Sequence, residues 1–154
     1  MLPTLQQHAA LVAREAGLEF FRYALAVQPD RLEWHPEGGS GQSVLEMSRE
    51  IALTPLWALS AMGSLTGEHN WHQMKAEWKS VADCQEAFLV HLMQWEASVL
   101  AMPDEKLEET KWLPFNGGRD HTFLELLEYP RWNATYHLGQ VAYIQTLYGD
   151  KEMH

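Results

Sequence analysis

Apolar residues recur at three- and four-residue steps in four long stretches of the chain, separated by polar segments rich in glycine and proline. Leu5, Ala9, Val12, Ala16, Phe20 and Tyr23 mark the first, predicting a helix to about Val27, before Pro29 stops it. Thr4-Leu5-Gln6-Gln7 has the form of a capping box at its start. Val44, Met47, Ile51, Leu56, Leu59 and Met62 mark the second, opened by the Ser43-Val44-Leu45-Glu46 box, and Pro55 inside it predicts a kink. The third runs from Ser80 to about Ala101 through Val81, Cys84, Phe88, His91, Leu92, Trp95 and Leu100. The fourth opens at Thr122-Phe123-Leu124-Glu125. It continues through Leu138, Val141, Ala142, Ile144, Gln145 and Leu147 to Gly149, with Pro130 expected to break or kink it or to start a new helix.

The connections are of two kinds. Gln28 to Gln42 and Gly63 to Lys79 read as irregular loops, with Leu32 and Trp34 of the first laid over the core. Thr110 to Phe115 reads as an extended stretch, and Asn116-Gly117-Gly118 as a tight turn, together a flap or hairpin crossing the helices. No repeat, low-complexity tract or linker divides residues 1–154, so one domain is expected. The pattern is that of an all-α bundle with long connections and a short hairpin-like flap before the last helix.

Composition narrows the partners. A formal net charge of -10 argues against nonspecific nucleic-acid binding and against docking on anionic lipid. No apolar run approaches the roughly 20 residues of a membrane span, and no basic stretch precedes an apolar one at the N-terminus, so neither a span nor a signal peptide is expected. Cys84 is the single cysteine, which excludes an intrachain disulfide and makes a cytoplasmic location the default. Its neighbours Asp83 and Glu86 are acidic, which suits a small core residue better than a reactive thiol.

A few polar residues interrupt the apolar faces. Asn133 and His137 stand four apart and share one helical face, and Glu50 sits among the core positions of the second helix. Such groups either find partners in the core or line a pocket, because burying them alone is costly. His8 reads as a surface histidine. His69 and His72 invite a metal reading, yet lack a third ligand and sit among glycines, so a solvated loop is the better expectation. Gly38-Gly39 lacks the spacing and lysine of a phosphate loop. Trp57, Trp71 and Trp78 could line a cavity or an interface, but core or loop packing is the better expectation for each.

Three segments carry a resemblance. Trp34-His35-Pro36-Glu37-Gly38-Gly39, then Ser43-Val44-Leu45-Glu46, then Asn133-Ala134-Thr135-Tyr136-His137-Leu138-Gly139-Gln140 resemble the DinB/YfiT-like superfamily in order and spacing. The resemblance covers most of the chain, and the Tyr-His-x-Gly-Gln segment is its most specific part. It implies a four-helix bundle with a divalent-metal site in an open pocket, often in a homodimer. Family members commonly hold the metal with three histidines, one on the second helix and a pair spaced by four on the last. Some are metal-dependent transferases that act with low-molecular-weight thiols. In this chain His137 matches the last ligand, Asn133 stands where the first histidine of the pair is expected, and Glu50 stands in the helix-two position. Gln140, Tyr136 and Trp57 are the expected residues around them.

Glutamate is a competent ligand for zinc, nickel, manganese or iron, but a neutral amide suits hard cations better. Losing two imidazoles costs orders of magnitude in affinity, since even outer-shell losses cost about 10–100-fold. Three expectations follow. One is a small-molecule-binding bundle with a degenerate or lost divalent-metal site at Glu50, Asn133 and His137. The second is an active metal-dependent enzyme of the thiol S-transferase or hydrolase type. The third is metal-free acid–base chemistry by His137 with Glu50 orienting it.

Overall fold

A computed structural model describes residues 2–36, 38 and 41–154 of the chain. Glu37, Gly39 and Ser40, which belong to the first of the resembling segments and to the glycine-rich loop, lie outside the described residues. Four long helices, α1 (Leu5–Ala26), α2 (Val44–Ala61), α4 (Val81–Leu100) and α5 (Phe123–Leu147), form the bundle, and a short α3 (Trp71–Glu77) lies between α2 and α4. Just before α5, β1 (Thr110–Leu113) pairs antiparallel with β2 (Arg119–Thr122), Leu113 opposite Arg119. The all-α bundle with a hairpin before its last helix is therefore the observed fold. Among the described residues no helix is long and apolar enough to cross a membrane.

The helix starts follow the local chemistry. Thr4, Ser43, Ser80 and Thr122 each accept from the backbone N–H three residues on, and the side chain at that position returns a bond to the cap. α2 packs mainly on α4 and α1 on α5, with α2–α5 and α1–α4 closing the ring, so α1 and α2 lie on a diagonal. The core is filled by Phe20, Phe21, Met47, Ile51, Leu59, Leu92 and Trp95, all essentially without exposure. Leu32 and Trp34 pack over it from the first connection, and Leu45 N–H donates to the Leu32 carbonyl at 3.0 Å.

Several details differ from the sequence expectations. Leu5, Leu100 and Leu147 are exposed, because each sits at a helix end beyond the reach of its neighbours; Gln6 and Val99 take the inward positions instead of Leu5 and Leu100. Gly63 to Lys79 is not wholly irregular: Asn70 caps α3 by accepting from Gln73 N–H at 3.0 Å. Pro130 neither breaks α5 nor starts a new helix; the helix runs through it, as α2 runs through Pro55. An interior proline costs a helix about 3 kcal/mol, and burial of both prolines and of their flanks in the bundle offsets it. Next to Pro55, the Ala52 carbonyl accepts from His91 Nδ1 on α4 at 2.7 Å. Burial holds the His91 ring below its ordinary range, against the pull of that bond, so the ring is the neutral donor. Cys84 lies in the core and burial pushes its thiol up to about 12.

Gly17 on α1 is buried against the Phe88 ring of α4. A Cβ built there would lie 2.0 Å from Cζ of Phe88, a core ring that also packs on Phe21. Helix propensity alone would make Gly17→Ala stabilising by about 1 kcal/mol. Here the overpacking dominates, and the variant is expected to lose about 1–3 kcal/mol. Urea denaturation checks the sign; an unchanged or raised midpoint would refute this account of the α1–α4 contact.

Candidate functional site

Glu50, Thr54 and Trp57 stand at i, i+4 and i+7 on α2, and Tyr129, Asn133 and His137 at four-residue steps on α5. The two faces meet in antiparallel register, so the pairs fall in order like rungs. Trp57 packs on Tyr129, ring centroids 4.5 Å apart. Asn133 Nδ2 donates to Thr54 Oγ1 at 2.8 Å and points to Glu50 Oε1 at 3.4 Å. His137 Nε2 lies 3.1 Å from Glu50 Oε1. The structure thus brings Glu50, Asn133 and His137 together.

The cluster is closed from outside by two further amides. Gln42, just before α2, donates to Glu50 Oε2 at 2.9 Å, and Gln140 Oε1 sits 2.6 Å from His137 Nδ1. An oxygen therefore faces each ring nitrogen of His137. The His137 hydrogen bond, with smaller help from Gln42 and Asn133, outweighs partial burial and holds the Glu50 carboxyl down at about 2. Burial and the Glu50 charge push the Tyr129 hydroxyl up, so it stays neutral.

The orientation of Asn133 follows from counting protons. Thr54 Oγ1 donates its single hydrogen to the Glu50 carbonyl at 2.9 Å. Towards Asn133 it can only accept, which turns the amide nitrogen, not the oxygen, to the centre of the cluster. This bears directly on a metal. Glu50 Oε1 and His137 Nε2, 3.1 Å apart, could flank an ion, because neighbouring ligands about 2.0–2.2 Å from a tetrahedral zinc stand at roughly that spacing. Asn133 offers an N–H there, which has no lone pair to give. Among the described residues no three His, Cys, Asp or Glu side chains gather elsewhere either. So arranged, the donor set does not fit a three-ligand transition-metal centre.

Beside the cluster opens a cleft of about 280 Å³, lined by Leu53, Trp57, Trp71, Lys75, Phe115 and Tyr129 with Glu50, Thr54 and Asn133 at its base. The hairpin supplies Phe115, whose ring lies 5.4 Å from Trp57. On the other side of the Trp57–Phe115–Tyr129 wall, a second cleft of about 350 Å³ runs under the hairpin to His121 and Trp132. A third, of about 300 Å³, adjoins at Lys75 and is lined by Gln42, Glu46, Arg49 and His72.

The expected surrounding residues divide. Trp57 lines two clefts and Gln140 holds the imidazole. Tyr136 points outward, exposed, stacked on Trp132, and lines neither cleft. His8, His69 and His72 lie away from the cluster, although His72 borders the third cleft. Sequence reasoning missed Thr54 and Tyr129, which the four-residue spacing from Glu50 and Asn133 could have flagged. It also missed the roles of Gln42, Lys75 and Phe115; these arrive from connections, where spacing carries no such signal. No family model matches the chain, and no curated protein does.

Glu50 contributes stability above its unfolded value of 4.5, and that contribution is lost as pH falls from there towards about 2. Glu50→Gln is therefore expected to destabilise by about 1–2 kcal/mol at pH 7, allowing for solvent screening of a partly exposed carboxylate. The difference from wild type should shrink steadily between pH 5 and pH 3. Urea midpoints measured across that range test it; a gap independent of pH would mean that the carboxylate charge contributes nothing.

Proposed function

We propose that this chain is a DinB/YfiT-like bundle in which the metal-ligating position has become a hydrogen-bonded polar cluster, and that the cluster is the base of a cleft that binds a small molecule. The observation that carries this reading is the amide of Asn133, held with Nδ2 inward by Thr54. The polar groups answer one another, and the aromatic wall beside them offers the apolar surface that small-molecule sites use. Chemistry here, where it occurs, is limited to what His137 and Glu50 do as a proton-sharing pair, since the Thr54 hydroxyl beside them is committed to the Glu50 carbonyl and Asn133. The metal-dependent S-transferase or hydrolase reading needs Asn133 to turn over and Thr54 to lose its partner.

We also propose a homodimer through α5. Trp132, Tyr136, Tyr143 and Leu147 form an exposed stripe along this helix, and Gly139 lies on it with nothing within 4 Å of a Cβ built there. Large aromatics in a row on a long helix are the residues that anchor interfaces, and self-complementary pairing of one helix face suits two-fold symmetry.

Calorimetric titration with zinc and nickel tests the site. Wild type is expected to bind neither stoichiometrically, whereas Glu50→His with Asn133→His gains at least about 100-fold in affinity. One tight equivalent on wild type, lost in His137→Ala, would favour the metal enzyme instead. For the dimer, sedimentation equilibrium at micromolar concentration is expected to show two chains, and Tyr143→Arg to weaken association by about tenfold or more with an unchanged melting temperature. A monomeric wild type sinks it.

A further inference from the structure

The electrostatics around the cleft point to the class of ligand. The chain carries 21 acidic and 11 basic residues, yet Arg49, His72 and Lys75 converge at the mouth where two clefts adjoin, and Lys75 lines both. Neither Arg49 nor Lys75 is in an ion pair among the described residues. The carboxylates nearby are already engaged. Glu46 caps α2 through Ser43 N–H at 2.7 Å and faces His35 at 3.5 Å. Glu50 is matched by His137, with its second oxygen held by Gln42. Half-buried Lys75 therefore stands against the aromatic wall as a cation without an ion-pair partner among the described residues.

The base of the cleft adds a second preference. Asn133 is 2% exposed and lines the cleft. Its Nδ2 is taken by Thr54 and Glu50, while its Oδ1 accepts from no group among the described residues. The structure leaves an acceptor at the base, a cation at the mouth, and Trp57, Trp71, Phe115 and Tyr129 between them.

We infer that this cleft takes a small aromatic carboxylate bearing a hydrogen-bond donor at the end opposite its acid group. The ring lies among the four aromatic side chains, the carboxylate meets Lys75, and the donor meets Asn133. The assignment rests on the small-molecule reading above and narrows it. An aromatic box with an acidic residue would ordinarily suit an organic cation; here both oxygens of that acid are already held, by His137 and Gln42, and the ionic group left to meet a ligand is Lys75, which favours an anion.

The test uses three molecules of one shape: 4-hydroxyphenylacetate, the neutral 2-(4-hydroxyphenyl)ethanol and the cationic 2-(4-hydroxyphenyl)ethylamine. Each is titrated into ¹⁵N-labelled full chain while the indole N–H signals of Trp57 and Trp71 are followed. The acid is expected to bind about fivefold or more tightly than the alcohol, the amine weakest, with added salt eroding the order. Lys75→Met should abolish the advantage of the acid over the alcohol, and Lys111→Met, on the hairpin, should leave it intact. Equal or preferred binding of the amine overturns the anion assignment and leaves a small-molecule cleft standing. Absence of saturable shifts with all three overturns both.

Discussion

A carboxylate, an amide and an imidazole share the seam between α2 and α5, and each would be costly to bury alone. The arrangement works because every donor there has an acceptor. Glu50 takes bonds from His137 and Gln42, Asn133 gives to Thr54, and Thr54 gives to the Glu50 carbonyl. The last two contacts matter most, because a hydroxyl with one proton fixes the direction of the whole chain of bonds. Turning the Asn133 amide over would set acceptor against acceptor at Thr54 and Glu50. The register of α2 on α5 follows from the same set, since shifting one helix by a turn would part all the pairs at once.

That constraint also shapes the cleft. With the seam closed by its own hydrogen bonds, the open volume lies to one side, where Trp57 and Tyr129 pack against each other and the hairpin lays Phe115 across them. The hairpin is tied in at both ends. Phe123 N–H donates to the Glu109 carbonyl, and Arg119 pairs with Glu125 in the first turn of α5, holding that carboxyl at about 2. Gly118, at φ 79° and with Trp112 atoms 2.6 Å from a built Cβ, lets the turn fold under the Trp112 ring. The wall of the cleft is thus anchored to the helix that carries Asn133 and His137.

Much of this was legible in the sequence where the signal is local. Capping boxes at Thr4, Ser43 and Thr122, the four helical periods, and the turn at Gly117-Gly118 all depend on residues within a few positions, and the structure has them. Glu50, Asn133 and His137 were legible as a polar set on two helical faces. What escaped depends on distant partners. Asn133's orientation is decided by Thr54 on another helix, so asparagine at a position expected to bind metal reads the same in sequence whether its oxygen or its nitrogen faces inward. α3 escaped because seven residues form a helix here with Trp71 and Met74, and Trp78 at its C-cap, only partly buried against the core, a weak pattern at that length. Pro130 misled because its local cost is real and the packing on both sides of it is not visible from the chain.

The division of labour between helices and connections has a consequence for specificity. Residues that fix the seam come from α2 and α5, whose register the whole bundle enforces. On the reading proposed above, residues that would meet the ligand's ring and charge come in part from α3 and the hairpin, as Trp71, Lys75 and Phe115. Substitutions there leave the seam's hydrogen bonds untouched, whereas substitutions at Glu50, Thr54 or Asn133 change both stability and binding. A bundle built this way can alter which small molecule it accepts by exchanging side chains on two short elements, and its core does not have to answer for the change.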